Sequence, residues 1–222
     1  MFRNREEAGR MLADELSRYR HDPTALILAL PRGGVAVGYQ LSLALHIPLD
    51  VFITRKIGAP DNPEYAIGAV TETGSYYLNQ EAVSSLGISR HELNRLIQIQ
   101  EKEIARRRNL YRQGRQLPQL TGRTILLVDD GIATGSTFLA SALAIRGLQP
   151  HRLVGVIPVG PPSTFQEVRA LVDELVVLMT PDPFDAVGNF FSDFAQVEDR
   201  DVIQYLNLAE EAMLERTPSS SA

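Results

Sequence analysis

Apolar positions along the chain fall into short runs that alternate between two periods. Residues 5–20 place Ala8, Met11, Leu12, Leu16 and Tyr19 at helical spacing until His21-Asp22-Pro23 interrupts them. Residues 25–30 are continuously apolar, the pattern of a strand covered on both faces. Residues 35–45 resume at helix length after the turn Pro31-Arg32-Gly33-Gly34. Further strand-like runs occupy 49–54, 125–128, 153–159 and 175–179, with helical segments at 138–145 and at 163–171, the latter N-capped. This alternation predicts an α/β fold: a doubly wound, mainly parallel sheet with helices on both faces and right-handed crossovers. Such sheets bind ligands beyond the carboxyl ends of their strands.

Two stretches break the alternation. Residues 55–63, beginning Arg55-Lys56 and carrying Pro60 and Pro63, have the composition of a polar loop, and 67–70 with 76–78 form a hairpin around Thr73-Gly74-Ser75. A long helical insertion, about 80–114, follows as a single arm, with Ser89 and Glu92 spaced as a capping box. Within it Glu103 and Arg107 lie four apart, so they can pair along a solvated face. Arg106-Arg107-Arg108 is locally basic, either as solvated surface or as a dimer contact or phosphate-steering patch. The expected organisation is one domain over 1–216 with a core at about 24–180. Residues 217–222, Thr-Pro-Ser-Ser-Ser-Ala, are expected to be a disordered tail.

Composition narrows the function classes. With 222 residues, 44% of them hydrophobic, the chain can bury a full core. A formal net charge of −5 argues against a nucleic-acid or anionic-membrane binder, so a small anionic ligand must be attracted locally. Zero cysteines exclude disulfide and thiolate chemistry, and with no apolar run of membrane-spanning length and no signal-like start the expected compartment is the cytoplasm. His21, His46, His91 and His151 have neither metal-ligand spacing nor a triad partner. No Gly-x-x-x-x-Gly-Lys-Ser/Thr, Gly-x-Gly-x-x-Gly or Gly-x-Ser-x-Gly run occurs, which disfavours ATPase, dinucleotide and serine-hydrolase readings.

The informative chemistry follows the strand at 125–128. Asp129-Asp130 stand at its carboxyl end, and Gly131-Ile132-Ala133-Thr134-Gly135-Ser136-Thr137 lead into a helix. Small residues let backbone N–H groups approach an anion, assisted by the helix N-terminus. Adjacent carboxylates do not suit a phosphate, but they accept hydrogen bonds from a vicinal diol or from waters on a divalent metal. A ribose 5-phosphate fits both halves.

The segment 125–137 resembles the 5-phosphoribosyl-1-pyrophosphate signature of the type I phosphoribosyltransferase family, and the order of elements is similar to bacterial members of unassigned acceptor. The resemblance implies that Asp129 and Asp130 hold the ribose hydroxyls and take part in binding Mg2+, directly or through water. It implies that Gly131, Ala133, Thr134, Gly135, Ser136 and Thr137 surround the 5-phosphate. Arg32, Gly33 and Gly34 match the short loop that contacts pyrophosphate, and Arg55 and Lys56 stand where the family has a mobile catalytic loop. A C-terminal hood, about 181–205, would cover a nitrogenous acceptor, with Phe184, Phe190, Phe191 or Phe194 stacking and Asp185 or Asp193 accepting a base N–H. The same phenylalanines suit a second role, anchoring the C-terminal segment to the core.

The implied activity is transfer of the 5-phosphoribosyl group from phosphoribosyl pyrophosphate to a nucleobase-like acceptor, in a chain compatible with homo-oligomers. The alternative is a sensor that binds phosphoribosyl pyrophosphate or a nucleotide without catalysis. A hydrolase would need an activated water that no motif reveals.

Overall fold

The computed structural model describes residues 1–215; the expected tail at 217–222 lies outside them. A five-stranded parallel sheet has the order β2 (Leu49–Val51), β1 (Ala25–Ala29), β6 (Thr124–Val128), β7 (Arg152–Val159), β8 (Glu174–Met179). Because side chains alternate across a strand, the apolar runs at β1 and β6 split into two cores. Ala25, Ile27, Ala29, Leu126 and Val128 face a core shared with α1 (Arg5–Glu15), α2 (Gly33–Leu45) and α7 (Asp199–Leu214). Leu26, Leu28, Ile125 and Leu127 face the opposite core, with α5 (Ser136–Gly147) and α6 (Pro162–Arg169). Fully buried Phe138 and nearly buried Phe165 anchor that second layer, each contributing about 1.5–3 kcal/mol of burial.

Local signals set the helix starts. The Asn4 side chain caps α1 by accepting from the Glu7 N–H, with acidic Glu6 and Glu7 in its first turn. Ser163 does not cap α6, which starts one residue earlier with Pro161 at the cap. The run at 49–54 also divides: β2 ends at Val51, and Thr54 opens a second, antiparallel sheet of β3 (Thr54–Ala59), β4 (Asn62–Thr71) and β5 (Tyr76–Leu78). Arg55 and Lys56 therefore lie on a strand rather than in a loop, and only Pro60 and Asp61 remain at the tip between β3 and β4. Ile57 buried on this strand supplies the apolar contact that its polar neighbours mask.

The helical insertion is likewise two elements, α3 (Gln80–Ser85) and α4 (Arg90–Arg112), parted by Gly87 at φ 61°. At the start of α4 the Ser89 hydroxyl accepts from the Glu92 N–H, while the Glu92 carboxylate turns to Arg95 instead of completing a capping box. At its end Arg112, 2% exposed, fixes the base of the second sheet. Its Nε is 3.1 Å from Asp50 Oδ1, and its terminal nitrogens donate to the Glu72 carboxylate and the Val51 carbonyl. Removing Arg112 would leave the Asp50 and Glu72 carboxylates without their shared counter-charge.

Candidate active site

Asp129 and Asp130 leave the carboxyl end of β6 in the middle of the parallel sheet, beside the turn that follows β1. The Asp130 N–H donates to Asp129 Oδ1 at 2.9 Å. Burial, then the neighbouring Asp130 charge, pushes the Asp129 carboxyl well above the ordinary range. Asp130 has a partner that the sequence did not reveal: Arg5 of α1 places Nε 2.6 Å from its Oδ2. The same guanidinium donates to the Ala195 carbonyl at 2.8 Å and lies 3.7 Å over the Phe194 ring. Arg5 thus joins the first helix, an acidic residue of the signature and the C-terminal segment.

The turn at 31–34 lies flush against these acids, with a cis peptide between Pro31 and Arg32. A β-carbon on Gly33 would stand 1.9 Å from Asp130 Oδ2, and one on Gly34 would stand 2.8 Å from the Val128 carbonyl. Only glycine permits this approach.

Beyond Asp130 the chain wraps the start of α5. Gly135 caps the helix at φ 73°, a conformation costly for other residues. Ile132 anchors the loop through its N–H to the Val159 carbonyl, and Thr164 Oγ1 donates to the Ala133 carbonyl at 2.7 Å. Among the described residues, no acceptor takes the backbone N–H of Ala133, Thr134, Gly135, Ser136 or Thr137. Five backbone donors thus stand on one loop with no cationic side chain, at the N-terminus of α5.

A group of arginines extends from the turn at 31–34 to α4. Arg32 Nη1 is 3.2 Å from Glu198 Oε2 and 4.0 Å from Asp199 Oδ1, both at the start of α7. Asp199 also accepts from Arg106 at 2.8 Å and from the Tyr111 hydroxyl at 2.6 Å. Burial raises the Asp199 carboxyl, but these hydrogen bonds outweigh it and hold the group below its ordinary range. Arg55 donates from Nε to Gln100 at 3.1 Å, and burial followed by the Arg107 charge lowers its pKa. Arg107 itself is buried, with Nε 2.7 Å from Glu103 Oε1, so the basic triplet of α4 is not uniformly solvated surface. Arg32 and Arg55, expected from the sequence, are therefore joined by Arg106 and Arg107.

The C-terminal segment is stitched to the start of the chain. Phe2 donates its N–H to the Phe190 carbonyl, and Ser192 and Asp193 donate theirs to Phe2 and Arg3, each at 2.8 Å. Phe191 is buried between the rings of Phe2 and Phe194, with centroids at 5.2 and 5.0 Å, which leaves it no free face for a ligand. Phe184 and Phe190 stack on each other at 5.2 Å and remain half-buried, and Asp193 and Asp185 are exposed. Val187, also unanticipated, presses on the signature: a β-carbon on Gly131 would meet its Cγ1 at 2.4 Å. Among the described residues, no cluster of three or more His, Asp or Glu side chains could hold a metal ion. No helix among them is long and apolar enough to cross a membrane.

Comparison with known proteins matches this geometry to a family. Residues 3–182 match the phosphoribosyl transferase domain. The crystal structure of TT1426 from Thermus thermophilus is 37% identical, with a TM-score of 0.77 over 93% of this chain and 97% of that one. Provisionally named phosphoribosyl transferases of Mycobacterium tuberculosis strains H37Rv and CDC 1551 are 37% identical over 209 residues, 94% of this chain. The chain spans about half the length of these curated relatives, 47%. With the acids at the carboxyl end of β6, the backbone seat before α5 and the match over 3–182, the chain belongs to the phosphoribosyl transferase domain family.

Proposed function

We propose that this protein transfers the 5-phosphoribosyl group from phosphoribosyl pyrophosphate to a small nitrogenous acceptor and releases pyrophosphate. The observation that carries this reading is the juxtaposition of Asp129-Asp130 with five unpartnered backbone N–H groups from Ala133 to Thr137. The acids accept from the ribose hydroxyls, and the N–H groups bind the 5-phosphate. Arg32 and Arg55 face the diphosphate, whose negative charge grows as the glycosidic bond breaks, while the carboxylates favour a sugar that becomes cationic. No protein nucleophile is required.

Two paired carboxylates, with no third ligand among the described residues, fit a magnesium ion that takes most of its oxygens from substrate and water. Asp129 and Asp130 would hold it directly or through water, and when bound it neutralises diphosphate oxygens. On the acceptor side Phe184 and Phe190 offer half-buried rings and Asp193 an exposed carboxylate, whereas Phe191 anchors the hood.

The test is incubation with phosphoribosyl pyrophosphate, magnesium and a nucleobase panel, following pyrophosphate. Acceptor-dependent release is expected, and the Asp129→Asn/Asp130→Asn double variant should lose it while keeping the native circular dichroism spectrum. Release without acceptor points to a hydrolase, and binding without release to a sensor. Wild-type transfer by the double variant overturns the roles given to the acids.

A further inference from the structure

Arg107 and Arg112 are the two buried arginines of α4, and Arg112 has an acceptor for each of its three nitrogens. The Arg107 side chain is only 10% exposed, whereas those of Arg95 and Arg106 stand half in solvent. Its Nε is committed to Glu103, and among the described residues no acceptor takes a proton from Nη1 or Nη2. Arg55 on β3 is in the same condition: Nε donates to Gln100, two turns earlier on α4, and the terminal nitrogens have no acceptor among the described residues. Arg55 and Arg107 bond to Gln100 and Glu103, less than one turn apart on α4, and the Arg107 charge, with that of Arg32 acting in the same sense, lowers the pKa of Arg55.

Packing like charges together is unfavourable, and within this group Glu103 is the carboxylate hydrogen-bonded to Arg107. A hydrogen-bonded chain then runs from Glu103 through Arg106 to Asp199, which reaches Arg32 in the turn beside Asp130. The nitrogens of Arg55 and Arg107 beyond Nε suit a multivalent anion, whose several oxygens can accept from both guanidiniums.

Resting on the phosphoribosyl transfer proposed above, we propose that Arg107 is a pyrophosphate-binding residue: with Arg32 and Arg55 it forms a three-guanidinium seat for the diphosphate, oriented by Glu103. The long helix after the hairpin thus contributes a ligand to the site as well as covering the small sheet. Arginine suits the task because its planar fork can donate two bonds to one phosphate.

Titration calorimetry with two probes, inorganic pyrophosphate plus magnesium and ribose 5-phosphate, separates this inference from the reading on which it rests. Wild type is expected to bind both. Arg107→Gln should weaken pyrophosphate by about tenfold to a hundredfold, the loss of a charged hydrogen-bond donor, and leave ribose 5-phosphate within about twofold. Arg107→Lys keeps the charge and most of the stem, so it should fold even if the glutamine variant does not, and should bind pyrophosphate several-fold more weakly than wild type for want of the fork. Wild-type pyrophosphate affinity in the lysine variant, or in a folded glutamine variant, overturns the inference. So does a wild-type protein that binds ribose 5-phosphate but not pyrophosphate, which leaves the phosphoribosyl site standing. Failure to bind either probe removes the proposed function itself.

Discussion

The two regions proposed to receive anions beside Asp129-Asp130 are built from different materials. Before α5 the donors are backbone N–H groups from Ala133 to Thr137, held by Gly135 in a left-handed conformation and by Thr164. Beyond the turn at 31–34 the donors are side chains, Arg32, Arg55, Arg106 and Arg107, drawn from three segments and threaded by Glu103, Glu198 and Asp199. A backbone seat has fixed geometry and no counter-ions to displace. A guanidinium seat exchanges one anion for another, and its strength depends on salt. In the proposed reaction the first suits the 5-phosphate, which stays on the sugar, and the second suits the group that must depart.

The sharpest way to break this contrast is at Gly135. A valine there meets both the positive φ and Thr164, whose Cγ2 would be 2.5 Å from the new β-carbon. Gly135→Val should destabilise the fold by about 1–3 kcal/mol in urea denaturation and abolish ribose 5-phosphate binding while pyrophosphate still binds. Equal loss of both probes would mean that the regions are not independent.

A smaller effect concerns acid. Hydrogen bonding from Arg106, followed by that from Arg107, outweighs burial and holds the Glu103 carboxyl down at about 2, against an ordinary 4.5. A depressed carboxyl stabilises the fold above its unfolded value, and that contribution disappears as pH falls through the folded value. Arg106 and Arg107 face Glu103 on its own helix, with Arg55 opposite on β3 and Asp199 beyond Arg106. Discounted for solvent screening, wild type should exceed Glu103→Gln by about 1 kcal/mol at neutral pH and by nearly nothing at about pH 2. A gap unchanged by acid would show that this region does not rest on the ion pairs.

The least effect is expected at Glu198, whose side chain is 47% exposed. Glu198→Gln removes one anion competing for Arg32 and should tighten pyrophosphate by about two- to fivefold in calorimetry, with ribose 5-phosphate unaffected. Weaker pyrophosphate binding would instead make Glu198 a supporting residue.

The backbone seat was legible in the sequence because its parts are contiguous: strand, acids, small residues and helix follow one another from 124 to 147. The parallel sheet was legible for a related reason, since β1, β6 and β7 carry the unbroken runs at 25–30, 125–128 and 153–159. The guanidinium seat was only half legible. Arg32 follows a strand and Arg55 precedes a proline-bearing tip, but Arg107 looked solvated because its spacing to Glu103 has the same appearance on a buried face as on an exposed one. Arg5 carried no local signal, since its contact with Asp130 joins residues 125 positions apart. The strand at 54–59 escaped notice because Arg55, Lys56 and Gly58 obscure the alternation that Ile57 and Ala59 complete. The helical insertion looked unbroken because Leu86 and Ile88 continue its apolar pattern across Gly87.

Arg112 gives the antiparallel sheet a clamped mount. It grips Glu72, just past the end of β4, and Asp50 on the edge of the parallel sheet, while the Pro60-Asp61 tip lies at the far end of β3 and β4. One buried guanidinium therefore ties the two sheets together, and a substitution at Arg112 acts on both at once.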